Sequence, residues 1–435
     1  MGADVAPGSP AGGRPEPLRL HPWLAPPVLS VALVVVAAGF GQFAATAALG
    51  DVATAFGEVA DGPSVAEQAG LSGTVLGLGL AVIRLASLAS LPLAGLADRH
   101  GRRPVVLAMA AVGLALTASA ALSPSYWWFV ALFALARPFL SATSAVAQVT
   151  AAEHTYASGR VRALALVTAG YALGAGLVAV IRGLGAGVIG FRVVFALAIV
   201  PLALLPLLGR WLSEPDRYHV AQAGAAEGRP LVPLRAGWGE WGHRLLALVA
   251  VAFAVAFVTG PANSFLFVYA ENVLDVSPAL TAGLVLAALP AGLVGLVLGR
   301  WGADAAGRRV TGALALAGIA VAGIVTYSGS VEAAVGGYLL AVLAGAAFAP
   351  ALAALASELF PTEVRARVAG WLVATGVLGG VGGLLSFGAL ADAFDGFGPA
   401  AVVVALPAFA ATLALARLPE TRGLELEESA PPVLA

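Results

Sequence analysis

Long apolar runs punctuated by short polar breaks organise the chain. Twelve stretches hold about twenty or more predominantly apolar residues each, the length a helix needs to cross a bilayer core: 28–50, 72–97, 104–122, 126–150, 162–183, 191–212, 244–270, 279–300, 309–327, 333–356, 366–391 and 397–417. Runs such as Val31–Ala38 and Ala400–Ala405 do not alternate apolar with polar, as strands of a membrane barrel do. Backbone groups in hydrocarbon must be bonded internally, so helices are predicted. The longest polar break, 213–243, carries Pro215, Pro230 and Pro233 and divides the spans six and six. The first 27 residues read as a disordered tail without a cleavage pattern, with span 1 as an uncleaved signal anchor. Residues 418–435 form a second tail. The stretch 228–243, with Trp238 and Trp241, reads equally well as a membrane-surface segment or a plain linker.

Composition agrees with that pattern. Of 435 residues, 60% are hydrophobic and only 11% charged, which is too few charges to cover a water-soluble surface. Cysteine is absent, so disulfides, thiolate metal sites and cysteine nucleophiles are excluded. All 23 basic residues are arginine, which excludes the phosphate-loop lysine and Schiff-base chemistry. With 24 acids the net charge is −1, so no global pull toward nucleic acid exists. No metal or cofactor cluster and no nucleophile–base pair is visible, so an enzyme is not expected. The absence of a sizeable soluble domain argues against a receptor.

The arginines set orientation. With the N-terminus in the cytoplasm, 19 lie in the tails, loops or loop edges on the inside, and two (Arg182 and Arg192) on the outside. That positive-inside bias predicts an even number of spans in the cytoplasmic membrane with both termini cytoplasmic.

The two halves repeat. Gly95-Leu-Ala-Asp98-Arg99-His-Gly101-Arg102-Arg103 follows span 2, and Trp301-Gly-Ala-Asp304-Ala-Ala-Gly307-Arg308-Arg309 follows span 8. Glu153 with Arg160 and Arg162 follows span 4; Glu358 with Arg365 and Arg367 follows span 10. Parallel repeats about an axis along the membrane normal are a transporter architecture, with substrate bound between the halves near the midplane. The first of these clusters resembles the loop 2–3 motif of the major facilitator superfamily, and the second-half copy is a degenerate version. Glu214-Pro215, Glu358-Leu-Phe-Pro361-Thr362-Glu363-Val-Arg365 and Pro419-Glu420-Thr421-Arg422-Gly423 are similar to stretches of its sugar-porter branch, and also occur in metabolite and drug branches. The resemblance implies an all-α membrane protein with two six-helix bundles, 28–212 and 244–417. It also implies secondary transport by alternating access.

Physically, Gly95 would let another helix approach, Gly101 would permit a tight turn, and Asp98 could accept from Arg102. The resemblance implies that Gly95, Asp98, Arg99, Gly101, Arg102 and Arg103 latch the cytoplasmic ends of the halves together in the outward-facing state. Glu153 with Arg162, Glu358 with Arg365, and Asp304 with Arg308 are further candidates.

Two arginines stand apart. Arg84 lies near the centre of span 2 and Arg137 near the middle of span 4. A charge at that depth costs about 2.5–3.5 kcal/mol on insertion scales, so it faces a cavity or a partner. Arg137 resembles the arginine that opens the superfamily's span-4 motif, although Ser141 replaces that motif's glycine. No span has an Asp or Glu in its middle; Asp51, Asp98, Glu153, Glu271, Glu358 and Asp392 all sit at span ends, and the five histidines lie outside the spans. Sugar-porter proton symporters carry an aspartate in span 1, where this chain offers Gln42. The substrate or a co-transported ion is therefore expected to supply the missing negative charge; backbone carbonyls, Gln148, Tyr171 or Glu153 are the alternative partners. Gln42, Asn263 and Tyr269 are candidate hydrogen-bonders in the cavity, with interhelical bonding as the alternative for each. The glycine runs of spans 5 and 11 read as packing or hinge positions.

The expectation is a secondary transporter of a small organic solute, leaning to a polar or anionic metabolite. A sugar porter and a proton-coupled drug exporter are the alternatives. The expected partners are that solute and the lipid bilayer; a co-transported proton or ion is a further candidate, nucleic acid is not, and the monomer is the expected functional unit.

Overall fold

A computed structural model describes residues 24–60, 62, 64–155, 157–185, 190–215, 238–360 and 362–422. The expected tails up to residue 23 and from 423, and most of the central loop, lie outside the described residues. Among those described there are helices and no strand. Twelve helical segments are long and apolar enough to span: α1 (Pro26–Ala47), α2 (Gly73–His100), α3 (Arg102–Leu122), α4 (Tyr126–Glu153), α5 (Arg162–Leu184), α6 (Phe191–Trp211), α7 (Trp241–Val273), α8 (Pro278–Ala305), α9 (Arg308–Thr326), α10 (Val331–Glu358), α11 (Arg367–Ala393) and α12 (Phe397–Ala416). Each matches a predicted stretch to within a few residues. Trp241 is no surface anchor: helix already begins at Trp238, and Trp241 is buried edge-on against Phe360, with ring centroids 5.9 Å apart.

Serine caps start four helices at the end of the bundle opposite the Asp98 motif. The hydroxyls of Ser72, Ser125, Ser277 and Ser330 accept the amide three residues on, at 3.2, 3.4, 3.4 and 3.2 Å. Each satisfies one of the unpaired donors at a helix N-terminus. These caps obey the same repeat as the loops: Ser72 corresponds to Ser277, and Ser125 to Ser330. A capping box at Ser64 and Glu67 starts the short helix Val65–Ala69, and hydrogen bonds from Ser64 hold the Glu67 carboxyl below its usual range.

Within each half, small residues bring backbones together. Gly174 of α5 lies on Val36 of α1, and Gly379 and Gly383 of α11 lie on Phe253 and Phe257 of α7; a methyl group at any of these would overlap the facing backbone. The glycine runs are thus packing positions, as expected. Between the halves the most extensive contacts are α2 with α11 and α5 with α8, with smaller ones from Leu49–Phe56 and Val65–Ala69 to the second half. The α2–α11 seam runs along Gly73–Ala86 and is tight at Gly73 and Gly77, which face the backbone of Gly388 and Leu384. Toward the motif end the halves part. Ser90–His100 packs on α3 and α4 of its own half, Leu91 is half exposed, and Gly95 has no neighbour within 4 Å. The close helix approach expected at Gly95 is therefore not made in this conformation.

Candidate functional site

A cavity of about 480 Å³ lies between the halves, lined by α1, α2, α4, α5, α7, α8, α10 and α11. Gln42, Arg84, Arg137 and Asn263 all line it; Tyr269 does not. Helix α7 is interrupted after Ser264 and passes into a π-turn over Tyr269–Val273. Tyr269 lies beyond this break, off the cavity face. Its ring packs tilted against Tyr327 and edge-on against Phe397, with centroids 4.9 and 5.6 Å away, and its hydroxyl accepts from the Gly329 amide at 2.9 Å.

Gln42 is buried and largely committed. Its Nε2 donates to the Leu140 carbonyl at 3.2 Å and to Ser144 at 3.3 Å, while Oε1 accepts from Ser141 at 3.4 Å. Arg137 donates to the Gln42 carbonyl at 3.2 Å, so a backbone oxygen is part of its compensation. The Arg84 side chain makes no hydrogen bond or ion pair among the described residues, and its Nε is buried without a partner, as is that of Arg137. Arg84 rests against Gly380 of α11, where a methyl group would stand 3.1 Å from its Nε. Arg137 is near enough for its charge to repel that of Arg84. Among the described residues no acidic side chain lines the cavity. Glu153, one expected partner for the midplane arginines, is occupied elsewhere. Sequence reasoning missed Thr46, Thr259, Ser264 and Tyr338 as cavity residues. Neutral polar residues on a helix give no signal of depth comparable with a charge.

The motif end carries two matching clusters. Arg102 pairs with Asp98 at 2.7 Å and Glu153 at 3.1 Å; Arg308 pairs with Asp304 at 3.8 Å and Glu358 at 3.3 Å. Glu153 and Glu358 thus meet Arg102 and Arg308 rather than the expected Arg162 and Arg365. Arg162 and Arg99 are exposed, and Arg365 donates to the Phe360 carbonyl at 3.3 Å. Glu214 caps α3 by accepting from the amides of Arg102 and Arg103, and Glu420 caps α9 through the amides of Arg308 (2.9 Å) and Arg309 (3.2 Å). Gly101 and Gly307 turn into these caps at φ 97° and 104°, a region costly for other residues, and a side chain there would crowd the capping carboxylate. Every one of these pairs stays inside one half.

The opposite end carries a cluster that crosses between halves. Arg182 of α5 is buried and donates to both Asp51 oxygens, at 2.7 and 2.6 Å. It also donates to both oxygens of Glu271 on α7, one at 2.5 Å. Thr281 of α8 donates to Glu271 at 2.6 Å. Nearby, Asp392 of α11 accepts from the amides of Gly73 (2.7 Å) and Thr74 (2.8 Å), capping α2 from the other half. Sequence reasoning treated Arg182 as a topology marker and the acids as span ends. The available signal was that all three charges fall on one side of the predicted topology.

Residues 31–343 match the family described as Major Facilitator Superfamily. The chain belongs to the major facilitator superfamily. Solved structures of this superfamily architecture resemble it throughout. A D-xylose–proton symporter aligns with TM-score 0.70 at 20% identity, covering 91% of this chain and 98% of its own. The inward-open xylose transporter from E. coli gives 0.69 at 20%, covering 92% and 99%. A bacterial homologue of the human lysosomal transporter Spinster, inward-facing and unoccupied, gives 0.66 at 17%, covering 89% and 94%. No curated protein matches the sequence. As a member of the superfamily the chain is a multi-pass membrane protein and a secondary transporter, with the two-bundle, twelve-helix fold read from its sequence.

Proposed function

We propose that this transporter moves a small polar or anionic metabolite across the cytoplasmic membrane by alternating access. The observation that carries this reading is the pair Arg84 and Arg137 on a cavity wall without a carboxylate. Buried charge in a membrane protein requires a partner, and an anionic solute entering between the halves supplies one. The arginine-rich motif end is placed in the cytoplasm by the positive-inside bias, with both termini on that side. The described state is then inward-facing, and the Arg182 cluster is its external gate. Asp98, whose carboxylate is 73% exposed in this state, engages the second half when the cavity opens outward.

A neutral-sugar carrier is the second reading, favoured by the xylose transporters among the structural neighbours. Flux into proteoliposomes, measured for anionic, neutral and cationic solutes with and without a pH gradient, separates the two. Saturable flux of anions that is lost in Arg84→Ala is the expected result. Neutral-solute flux that is unchanged in Arg84→Ala would sink the anionic reading.

A further inference from the structure

The cavity wall is divided chemically between the halves. The first half contributes both guanidiniums, from α2 and α4, together with Gln42 and Thr46 of α1 and Tyr171 of α5. The second half contributes Thr259, Asn263 and Ser264 from α7 and Tyr338 from α10, with no charge at all. Asn263 commits one amide hydrogen to the Thr259 carbonyl at 2.9 Å, and its carbonyl oxygen has no partner among the described residues. The Ser264 and Tyr338 hydroxyls make no hydrogen bond among the described residues either. One wall offers cationic donors, and the facing wall offers neutral groups that both donate and accept.

A solute must satisfy both walls at once when the cavity closes over it, because each polar group then left unpaired away from water costs about 1–3 kcal/mol, and more for a charge. An aliphatic carboxylate meets the guanidiniums and leaves the amide and hydroxyls of the second half unpaired. A neutral sugar does the reverse. We propose that the substrate is a hydroxylated organic anion of the sugar-acid or sugar-phosphate type. Its anionic group lies between Arg84 and Arg137, and its hydroxyls face Asn263, Ser264 and Tyr338. This inference rests on the anionic reading above and narrows it. The cavity, about 480 Å³, is within the ordinary range for a small-molecule site. Because Arg84 abuts Gly380 of α11, the anionic group lies at the contact between the halves, where its arrival is felt by both.

The test uses the full-length transporter and four probes: D-gluconate, glucose 6-phosphate, D-glucose and hexanoate. Thermal stabilisation of the purified protein reports binding, and counterflow in proteoliposomes reports transport. Gluconate or glucose 6-phosphate is expected to bind at least about tenfold more tightly than glucose or hexanoate, the scale of one charge-assisted hydrogen bond; which of the two is preferred tells carboxylate from phosphate. Arg84→Gln is expected to abolish that preference over glucose, and Arg84→Lys to restore part of it. Asn263→Ala is expected to narrow the preference over hexanoate. Hexanoate binding as well as gluconate would overturn the inference while leaving the anionic reading intact. Glucose binding as well as gluconate, in both the parent and Arg84→Gln, would overturn both. Stabilisation by none of the four overturns the inference.

Discussion

The two ends of the bundle use arginine in opposite ways. At the motif end each half builds its own cluster, Arg102 with Asp98 and Glu153 and Arg308 with Asp304 and Glu358, and these pairs each stay within one half. At the other end a single arginine, Arg182, ties Asp51 of its own half to Glu271 of the second. The duplicated cluster follows the internal repeat and belongs to the fold of a bundle. The unduplicated one has no counterpart in the repeat and belongs to the relation between bundles. In a repeated architecture, departure from the repeat is a guide to what is specific to the working cycle.

The strongest way to break this contrast is Arg182→Ala. It removes the one positive partner of two carboxylates, and breaking a buried pair costs about 3–5 kcal/mol. The expected outcome is a shift toward the state open at that end. Because the chain has no native cysteine, Ser264→Cys in the cavity can report it by labelling with a membrane-impermeant thiol reagent from that side. Labelling no faster than in the Arg182 parent would show that the cluster does not hold the halves. Next in size are the paired caps. Glu214→Ala and Glu420→Ala each remove a carboxylate from a helix N-terminus, an effect of about 1–2 kcal/mol. Both are expected to lower the thermal midpoint to a similar extent without changing which end of the cavity is labelled; unequal losses would mean the two clusters are not structural equivalents. Smallest in stability is Asp98→Asn. Its side chain is 73% exposed and its i,i+4 pair with Arg102 is worth under about 1 kcal/mol. The variant is expected to insert normally and transport poorly, since the exposed Asp98 carboxylate acts in the other state. Normal transport would reduce the motif to a topology signal.

The sequence made the spans legible because hydropathy and charge are both properties of position along the chain. Arg84 and Arg137 were legible for the same reason: a charge at midspan is conspicuous without knowing its neighbours. The Arg182 cluster was not, because Asp51, Arg182 and Glu271 are far apart in sequence and each alone looks like an ordinary span-end charge. Glu214 and Glu420 were noticed as motif residues, but their shared task as caps needed the turns at Gly101 and Gly307 to be seen. Tyr269 shows a different limit. It was named by its place just beyond Asn263 in span 7, and only the aromatic cluster at Tyr327 and Phe397 shows where its ring goes.

The glycine seam between α2 and α11 has a mechanical consequence. Gly73 and Gly77 meet the α11 backbone with almost nothing in between, so that contact is stiff and short. Asp98 lies on the same helix about 35 Å away at 1.5 Å per residue. If the seam serves as a fulcrum, a tilt of about 10° there sweeps the Asp98 end through about 6 Å. Substituting a bulkier residue at Gly77 would then act on leverage rather than on any ligand, altering how far the distant arm swings.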